Sequence, residues 1–409
     1  MWPSLGFTSF VLDCLLQQTY KMKLASLLAA AILLVSSDKL TAQQKRASFF
    51  TWRKSGALPS AAANQHSHGV GGAIAGIHAN KLIILGGTYF PEKMPWQGGK
   101  KKYETKGFVF AINDTGAFSL EHEFQFPVPI GYAAVCETSE GLLVAGGENQ
   151  EGLSNKVWML KYHAAEKKVI ITSLPALPYS VSSASACSIH GKIFLAGGET
   201  ETSASNGLLQ FDLRASSLVW KQMASIPVAV SHSVLLASST SAQNHLLLIG
   251  GRKKSAGQLT VFYQSVYKYD LNADRWIEGP ALPYPLAAGT GVMNRKGTCF
   301  LFGGDQGETF HKVEELILKM EDTKDNAQRE LLNQEKIRVQ SSHPGFSKEI
   351  LLLEENAKSW KRADAFPYPV PVTTRAIGWA DKVIMAPGEI KAGIRSADII
   401  LGTPIQQLP

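Results

Sequence analysis

The sequence predicts an all-β fold, a single six-bladed β-propeller over residues 43–409, on three observations. First, five apolar runs end in a glycine pair: Gly86-Gly87, Gly146-Gly147, Gly197-Gly198, Gly250-Gly251 and Gly303-Gly304. A sixth run, Val383-Ile384-Met385-Ala386, ends in Pro387-Gly388. The spacings are about 60, 51, 53, 53 and 85 residues. Second, each pair sits inside a unit of four strand-like segments, and four strands per unit at a period near 50 describe a propeller blade. Third, the last unit has no fourth strand after 398–402, while the segment Phe49-Phe50-Thr51-Trp52-Arg53-Lys54, followed by Leu58-Pro59, has the pattern of one. An N-terminal strand that completes the last blade closes the ring and removes its open sheet edges.

Each element follows from local chemistry. Met22-Lys23 precedes an apolar run, Leu24 to Val35, with small residues up to Ala42. This pattern predicts an export signal over a leader of residues 1–42, with translation starting at Met22 and the mature chain in the periplasm. The run is too short for a permanent membrane anchor. First strands are rich in small residues, as in 70–78 and 182–189, which suits a narrow channel. Second strands are the apolar runs. Third strands carry aromatics, as in Val157-Trp158-Met159-Leu160 and Val266-Tyr267-Lys268-Tyr269. Fourth strands bear Trp220, Trp276 and Trp360, expected to pack between blades, and end at a proline.

One segment breaks the period. Between Gly304 and Ile350 lie about 45 residues, and Val313 to Val339 is charged and free of Gly and Pro. It predicts one or two helices, inserted at about 307–348 between the second and third strands of blade five, overhanging one mouth of the channel. The expectation is a ligand lid, against the alternative of a surface decoration.

Composition excludes little. The net charge of +7 is mild and scattered apart from Lys100-Lys101-Lys102, which argues against nucleic acid and suits a small anionic ligand equally well. Cys14 falls in the leader. Cys136, Cys187 and Cys299 sit in apolar strands without a CxxC pair, which predicts buried free thiols and no cysteine metal site. His66 and His68 form His-x-His, but no acidic partner stands at ligand spacing, so no metal and no cofactor is expected.

The Gly-Gly, Tyr/Phe and Trp spacing resembles the kelch repeat, most clearly at 246–251 and 265–283. A narrower resemblance lies in Gly388-Glu389-Ile390-Lys391-Ala392-Gly393-Ile394-Arg395-Ser396-Ala397-Asp398. It is similar to the Gly-Glu-Ala-Lys-Pro-Gly-Leu-Arg-Thr-Asp loop of bacterial N-acetylneuraminate mutarotases (epimerases). The helical insertion before that blade and the run 70–87 resemble the same family. There the Glu-bearing blade lies mid-chain. Here it comes last, so the chain resembles the cyclically permuted members. The resemblance implies an isomerase that interconverts the α and β anomers of a sialic acid, with a sugar acid as partner and the choice between monomer and homodimer open.

The residues fit that chemistry. Opening a cyclic hemiketal needs a base for the anomeric hydroxyl, and Glu389 suits it. Arg395 stays charged near neutrality, so it serves as a carboxylate clamp or charge stabiliser rather than an acid. The alternative for the pair is a surface ion bridge that holds the loop. The repeat brings Glu148, Asn149, Glu199, Arg252, Asp305 and Gln306 to the same mouth, and Tyr132, His232 and Arg375 to the starts of first strands beside it. Of these, Tyr132, Glu148, Asn149, His232, Arg252, Asp305 and Arg375 are the expected sugar contacts. The rival function is a non-catalytic kelch propeller that binds glycan or protein.

Overall fold

A computed structural model describes residues 48–60, 67–239 and 244–405. The expected leader and His66 lie outside them. The described chain forms six four-stranded antiparallel sheets. Blade 1 runs from Ile74–His78 to Phe118–Gln125, and blade 2 from Ala134–Thr138 to Lys168–Leu174. Blade 3 runs from Ser185–Ile189 to Trp220–Gln222, and blade 4 from Val234–Ser239 to Arg275–Glu278. Blade 5 runs from Thr290–Met293 to Lys361–Ala365. Blade 6 takes its inner strands from Ala376–Trp379, Lys382–Met385 and Asp398–Pro404, and its outer strand is Phe50–Ala57. The pairing Trp52 to Gly402 sets the register of that closing strand, as the sequence predicted.

The apolar second strands have a structural cause. A blade is sandwiched between two others, so both faces of its sheet are covered. Six hydrophobic clusters result, each drawn from two adjacent blades. Alternate residues of one strand serve opposite interfaces: Leu82 and Ile84 pack toward blade 6, Ile83 and Leu85 toward blade 2. Cys136, Cys187 and Cys299 are buried and free in these layers. Trp52 lies at the interface of blades 5 and 6, its ring 4.5 Å from that of Phe366 and 5.5 Å from that of Phe302. Three other tryptophans tie neighbouring blades through indole N–H bonds: Trp220 to the Pro175 carbonyl (3.0 Å), Trp276 to Ala224 (2.9 Å) and Trp360 to Pro280 (2.8 Å).

The glycine pairs turn the chain where blades crowd. Both residues of every pair have positive φ. A Cβ at Gly197 would run into the Val230 carbonyl oxygen, so a side chain is excluded by space and by backbone conformation. Pro387-Gly388 is built otherwise. Proline holds φ negative, and the Thr374 hydroxyl bonds the carbonyls of Ala386 (2.9 Å) and Pro387 (2.8 Å) to fix the turn.

Two rings of equivalent residues stack at the mouth. In the first, Gly72, Tyr132, Ser183, His232, Ala288 and Thr373 all have φ between 47° and 67°. Each donates its N–H to the carbonyl of its counterpart in the preceding blade at 2.8–3.1 Å, and Gly72 to Thr373 closes the circle. In the second, Thr88, Glu148, Glu199, Arg252, Asp305 and Glu389 each follow the turn and bridge back to the segment entering their own blade.

The insertion consists of α1 (Glu308–Asp322) and α2 (Asn326–Ser341), between the second and third strands of blade 5. Helix α1 is tied to blade 4. The Glu314 carboxylate accepts the Thr260 N–H (2.8 Å) and hydroxyl (2.6 Å), and His311 Nε2 lies 2.7 Å from the Thr260 carbonyl. Helix α2 starts on Asp325, whose side chain accepts the N–H of Ala327 and Gln328, and touches the short turn Pro95–Gln97 of blade 1. The helices therefore span the mouth between blades 4 and 1, as an overhang should. No described helix is long and apolar enough to cross a membrane.

Candidate functional site

Between the ring of side chains and the helices lies a cavity of about 440 Å³. Glu389, Tyr132, Glu148, Glu199, His232, Arg252 and Asp305 reach it from five blades. Glu389 begins a small hairpin, Glu389–Lys391 paired with Ile394–Arg395, in which Glu389 stands opposite Arg395. Gly393 makes the hairpin possible at φ 73°, and its N–H bonds Glu389 Oε1 at 2.7 Å. Pro95 and Trp96 of blade 1 pack over Gly393 and leave no space for a side chain there. Val372 exchanges two backbone bonds with Glu389, at 2.8 and 3.0 Å, which fixes the residue at the cavity wall.

Burial raises the Glu389 pKa above the ordinary carboxyl range, against the opposing pull of Arg395, the Gly393 N–H, Lys101 and Arg252. Arg395 Nη2 lies 3.7 Å from Glu389 Oε2, and its side chain is only 3% exposed. Its guanidinium stacks on Phe90 at 4.7 Å. Nε and Nη1 of Arg395 are buried without a hydrogen-bond partner. Arg395 is thus a charge held behind Glu389 rather than a group on the cavity wall.

The other walls are more fully paired. Glu148 accepts the Lys101 ammonium and the Tyr103 hydroxyl, each at 2.7 Å, and the Ser182 hydroxyl at 3.3 Å. Burial works against the charged Lys101, but Tyr132, Glu148 and Tyr103 outweigh it and raise its pKa. Lys101 also lies 5.0 Å over the Tyr132 ring. Tyr103 is pushed up to about 12 by burial and by its bond to Glu148. Burial, then Arg252 and Lys101, hold His232 well below the usual histidine range, so it is neutral. His343, just past α2, is held low by burial and by Lys391, with Asp305 opposing. Its Nδ1 accepts the Gly345 N–H at 3.0 Å.

Two expected residues do not join them. Asn149 turns away and accepts the Glu151 N–H at 2.8 Å, on a separate groove at the edge of blade 2. Arg375 sits below the backbone ring in a smaller cavity of about 150 Å³, bonded to the Ala75 carbonyl (3.1 Å) and Glu137 (3.0 Å). It begins a strand that descends the channel, so its side chain leaves the mouth. Gln306 is exposed outside the cavity lining. Conversely, Lys101, Phe310, Glu314, His343 and Thr373 line the cavity without having been singled out. Only Lys101 had a signal, the basic run beside Tyr103. His68 stacks on Tyr89.

This architecture has known counterparts. A solved structure of YjhT superposes with a TM-score of 0.56 at 16% identity, over 82% of this chain and 97% of that one, which shows the shared fold. The N-acetylneuraminate epimerase of Shigella sonnei is 22% identical over 223 residues, 54% of this chain and 58% of that protein. That of Vibrio cholerae is 26% identical over 180 residues, 41% and 45% of the two chains. The matches thus span under two thirds of these relatives' own length. The N-acetylneuraminate epimerase model matches residues 174–407, which include blades 3 to 5, the insertion and the Glu389 hairpin. Since that match takes in more than half of the residues, the chain belongs to the N-acetylneuraminate epimerase family.

Proposed function

We propose that the protein is a sugar-acid mutarotase that interconverts the α and β anomers of N-acetylneuraminate, with Glu389 as the base. The observation that carries this reading is the state of Glu389: a buried carboxyl with a raised pKa, on the wall of a roofed cavity, with one cation held behind it. A carboxyl pKa closer to neutrality makes proton exchange near pH 7 more efficient.

Glu389 takes the proton of the anomeric hydroxyl. The bond from the anomeric carbon to the ring oxygen breaks, and its electron pair stays on that oxygen. The proton returns to the ring oxygen directly or through water, so the open keto form gains and loses nothing. Rotation about the bond next to the carbonyl presents its other face, and the reverse steps close the ring. Arg395 favours the carboxylate form of Glu389 by charge. The insertion limits water access to the cavity, which strengthens those interactions. Family membership and the relatives' names support the substrate class. The apolar run Leu24–Val35 supports export to the periplasm, testable by fractionation.

The test is direct. Freshly dissolved α-N-acetylneuraminate, followed by NMR, is expected to reach anomeric equilibrium faster with micromolar protein, and Glu389→Gln is expected to remove the acceleration with the fold intact. A wild-type protein without effect would overturn the reading.

A further inference from the structure

Arg395 leaves a question about the sugar acid's own carboxylate. It is almost fully buried, paired to Glu389 and stacked on Phe90, so it does not present its donors to the cavity. Another cation must meet a negative ligand there.

Of the six equivalent positions after the blade turns, five hold Thr88, Glu148, Glu199, Asp305 and Glu389, and the sixth holds Arg252. Lys101 is committed to Glu148 at 2.7 Å. Lys254 is an exposed side chain at the cavity edge. Arg252 is different. Its side chain is 17% exposed, it lines the cavity, and its ion pair with Glu199, at 3.6 Å, is too long for a hydrogen bond. Its Nη2 is 3.3 Å from His232 Nε2, and its Nε is buried with no partner. The Phe310 ring of α1 packs against the guanidinium at 4.8 Å and fixes its plane. Arg252 also helps to lower the Glu389 pKa, which places both in one electrostatic field.

The geometry points to Arg252 as the anchor for the substrate's carboxylate, with Phe310 of the helical insertion holding the guanidinium in position. The planar fork matches a carboxylate in two hydrogen bonds, which a lysine cannot reproduce. The anchoring turns the anomeric carbon, which bears that carboxylate, toward Glu389 across the cavity. The roof thus acts on specificity, since its aromatic side chain orients the group that reads the acid. This inference rests on the proposed sugar-acid substrate and extends it to the residue that selects for the acid.

The experiment compares N-acetylneuraminate with its neutral C1 carboxamide by calorimetric binding, on wild type, Arg252→Ala, Arg252→Lys and Phe310→Ala. Wild type is expected to bind the acid more tightly. Arg252→Ala is expected to weaken acid binding roughly 10- to 100-fold while the carboxamide changes little, because a bond to a charged partner is lost in one case only. Arg252→Lys restores part of the preference, and Phe310→Ala reduces it. Equal losses on both ligands, an unchanged acid affinity in Arg252→Ala, or a wild type that does not bind the acid preferentially would each overturn the inference. Anomer exchange by wild type is read separately by NMR. Absence of exchange with the binding preference intact would sink Glu389 catalysis and leave Arg252 standing.

Discussion

Blades 2 and 6 place a glutamate at the same point of the repeat, and the two carboxylates have opposite surroundings. Glu148 is met by an ammonium, a phenol and a hydroxyl, and its hydrogen-bonding capacity is largely spent. Glu389 receives one N–H and a guanidinium at 3.7 Å, and it is buried enough for its pKa to rise. The backbone slot is shared, since each bridges back to the entry of its own blade. The difference is in the loops. Lys101 and Tyr103 come from the long loop of blade 1 onto Glu148, while the tight hairpin of blade 6 sets Arg395 beside Glu389. A repeat therefore supplies the position of an acid, and the company of that acid decides whether its hydrogen-bonding capacity is spent or its pKa is raised by burial.

The largest expected effect comes from removing Glu389, the proposed base. Glu389→Gln should lower the anomer exchange rate constant by about 10²–10⁴-fold, with circular dichroism and melting unchanged. A variant within a few-fold of wild type would erase the distinction between the two glutamates. Next comes the way the blades are assembled. Blade 2 is continuous in sequence, while blade 6 depends on Phe50–Ala57 from the other end of the chain. Trp52→Ala opens a cavity beside Phe302, Phe366 and Gly402 and should cost about 3–5 kcal/mol in denaturant unfolding. Hydrogen exchange should then rise first in blade 6.

Replacing the structural glutamate gives a smaller result. Glu148→Gln weakens the bonds to Lys101 and Tyr103 and should cost roughly 1.5–3 kcal/mol of stability, while exchange per folded molecule stays near that of wild type. A collapse of the rate at full stability would make Glu148 reactive too. The smallest effect is expected for Arg395→Lys. As the proposed base, Glu389 works as a carboxylate, so activity is expected to fall as pH drops through its raised pKa. Arg395 pulls that pKa down against burial. A shorter, point-like cation pulls less, so the ascending limb of the pH–rate profile should move to higher pH with its plateau retained. A limb that stays in place would show that Arg395 does not tune Glu389.

Much of this was legible in the residues. Glycine pairs mark turns because only a residue without Cβ fits beneath the next blade's carbonyl. The run Phe49–Lys54 announced the closing strand through the fourth-strand pattern it shares with other units. The charged, Gly-free stretch announced the helices. Glu389 was found through its hairpin string. Asn149 and Arg375 were placed at the mouth because the repeat locates a backbone position. The direction of a side chain depends on local bonds, in one case to Glu151 and in the other to Glu137 and the Ala75 carbonyl. Phe310 and His343 gave no comparable signal: both sit in the helical insertion of blade 5, and only the folded ring brings that insertion over the loops of the other blades.

By itself the sequence determined the number of blades and the joining of the ring. These follow from short-range rules: strand alternation, glycine turns and a repeated spacing. It singled out Glu389 as a candidate only through the resemblance of its hairpin string to a known family. The tertiary structure alone decided that Arg395 stands behind Glu389, that Arg252 lines the cavity against Phe310, and that a carboxyl flanked by cations still has a raised pKa. Burial and charge depend on which distant loops converge, and that convergence is written in no single stretch of the chain.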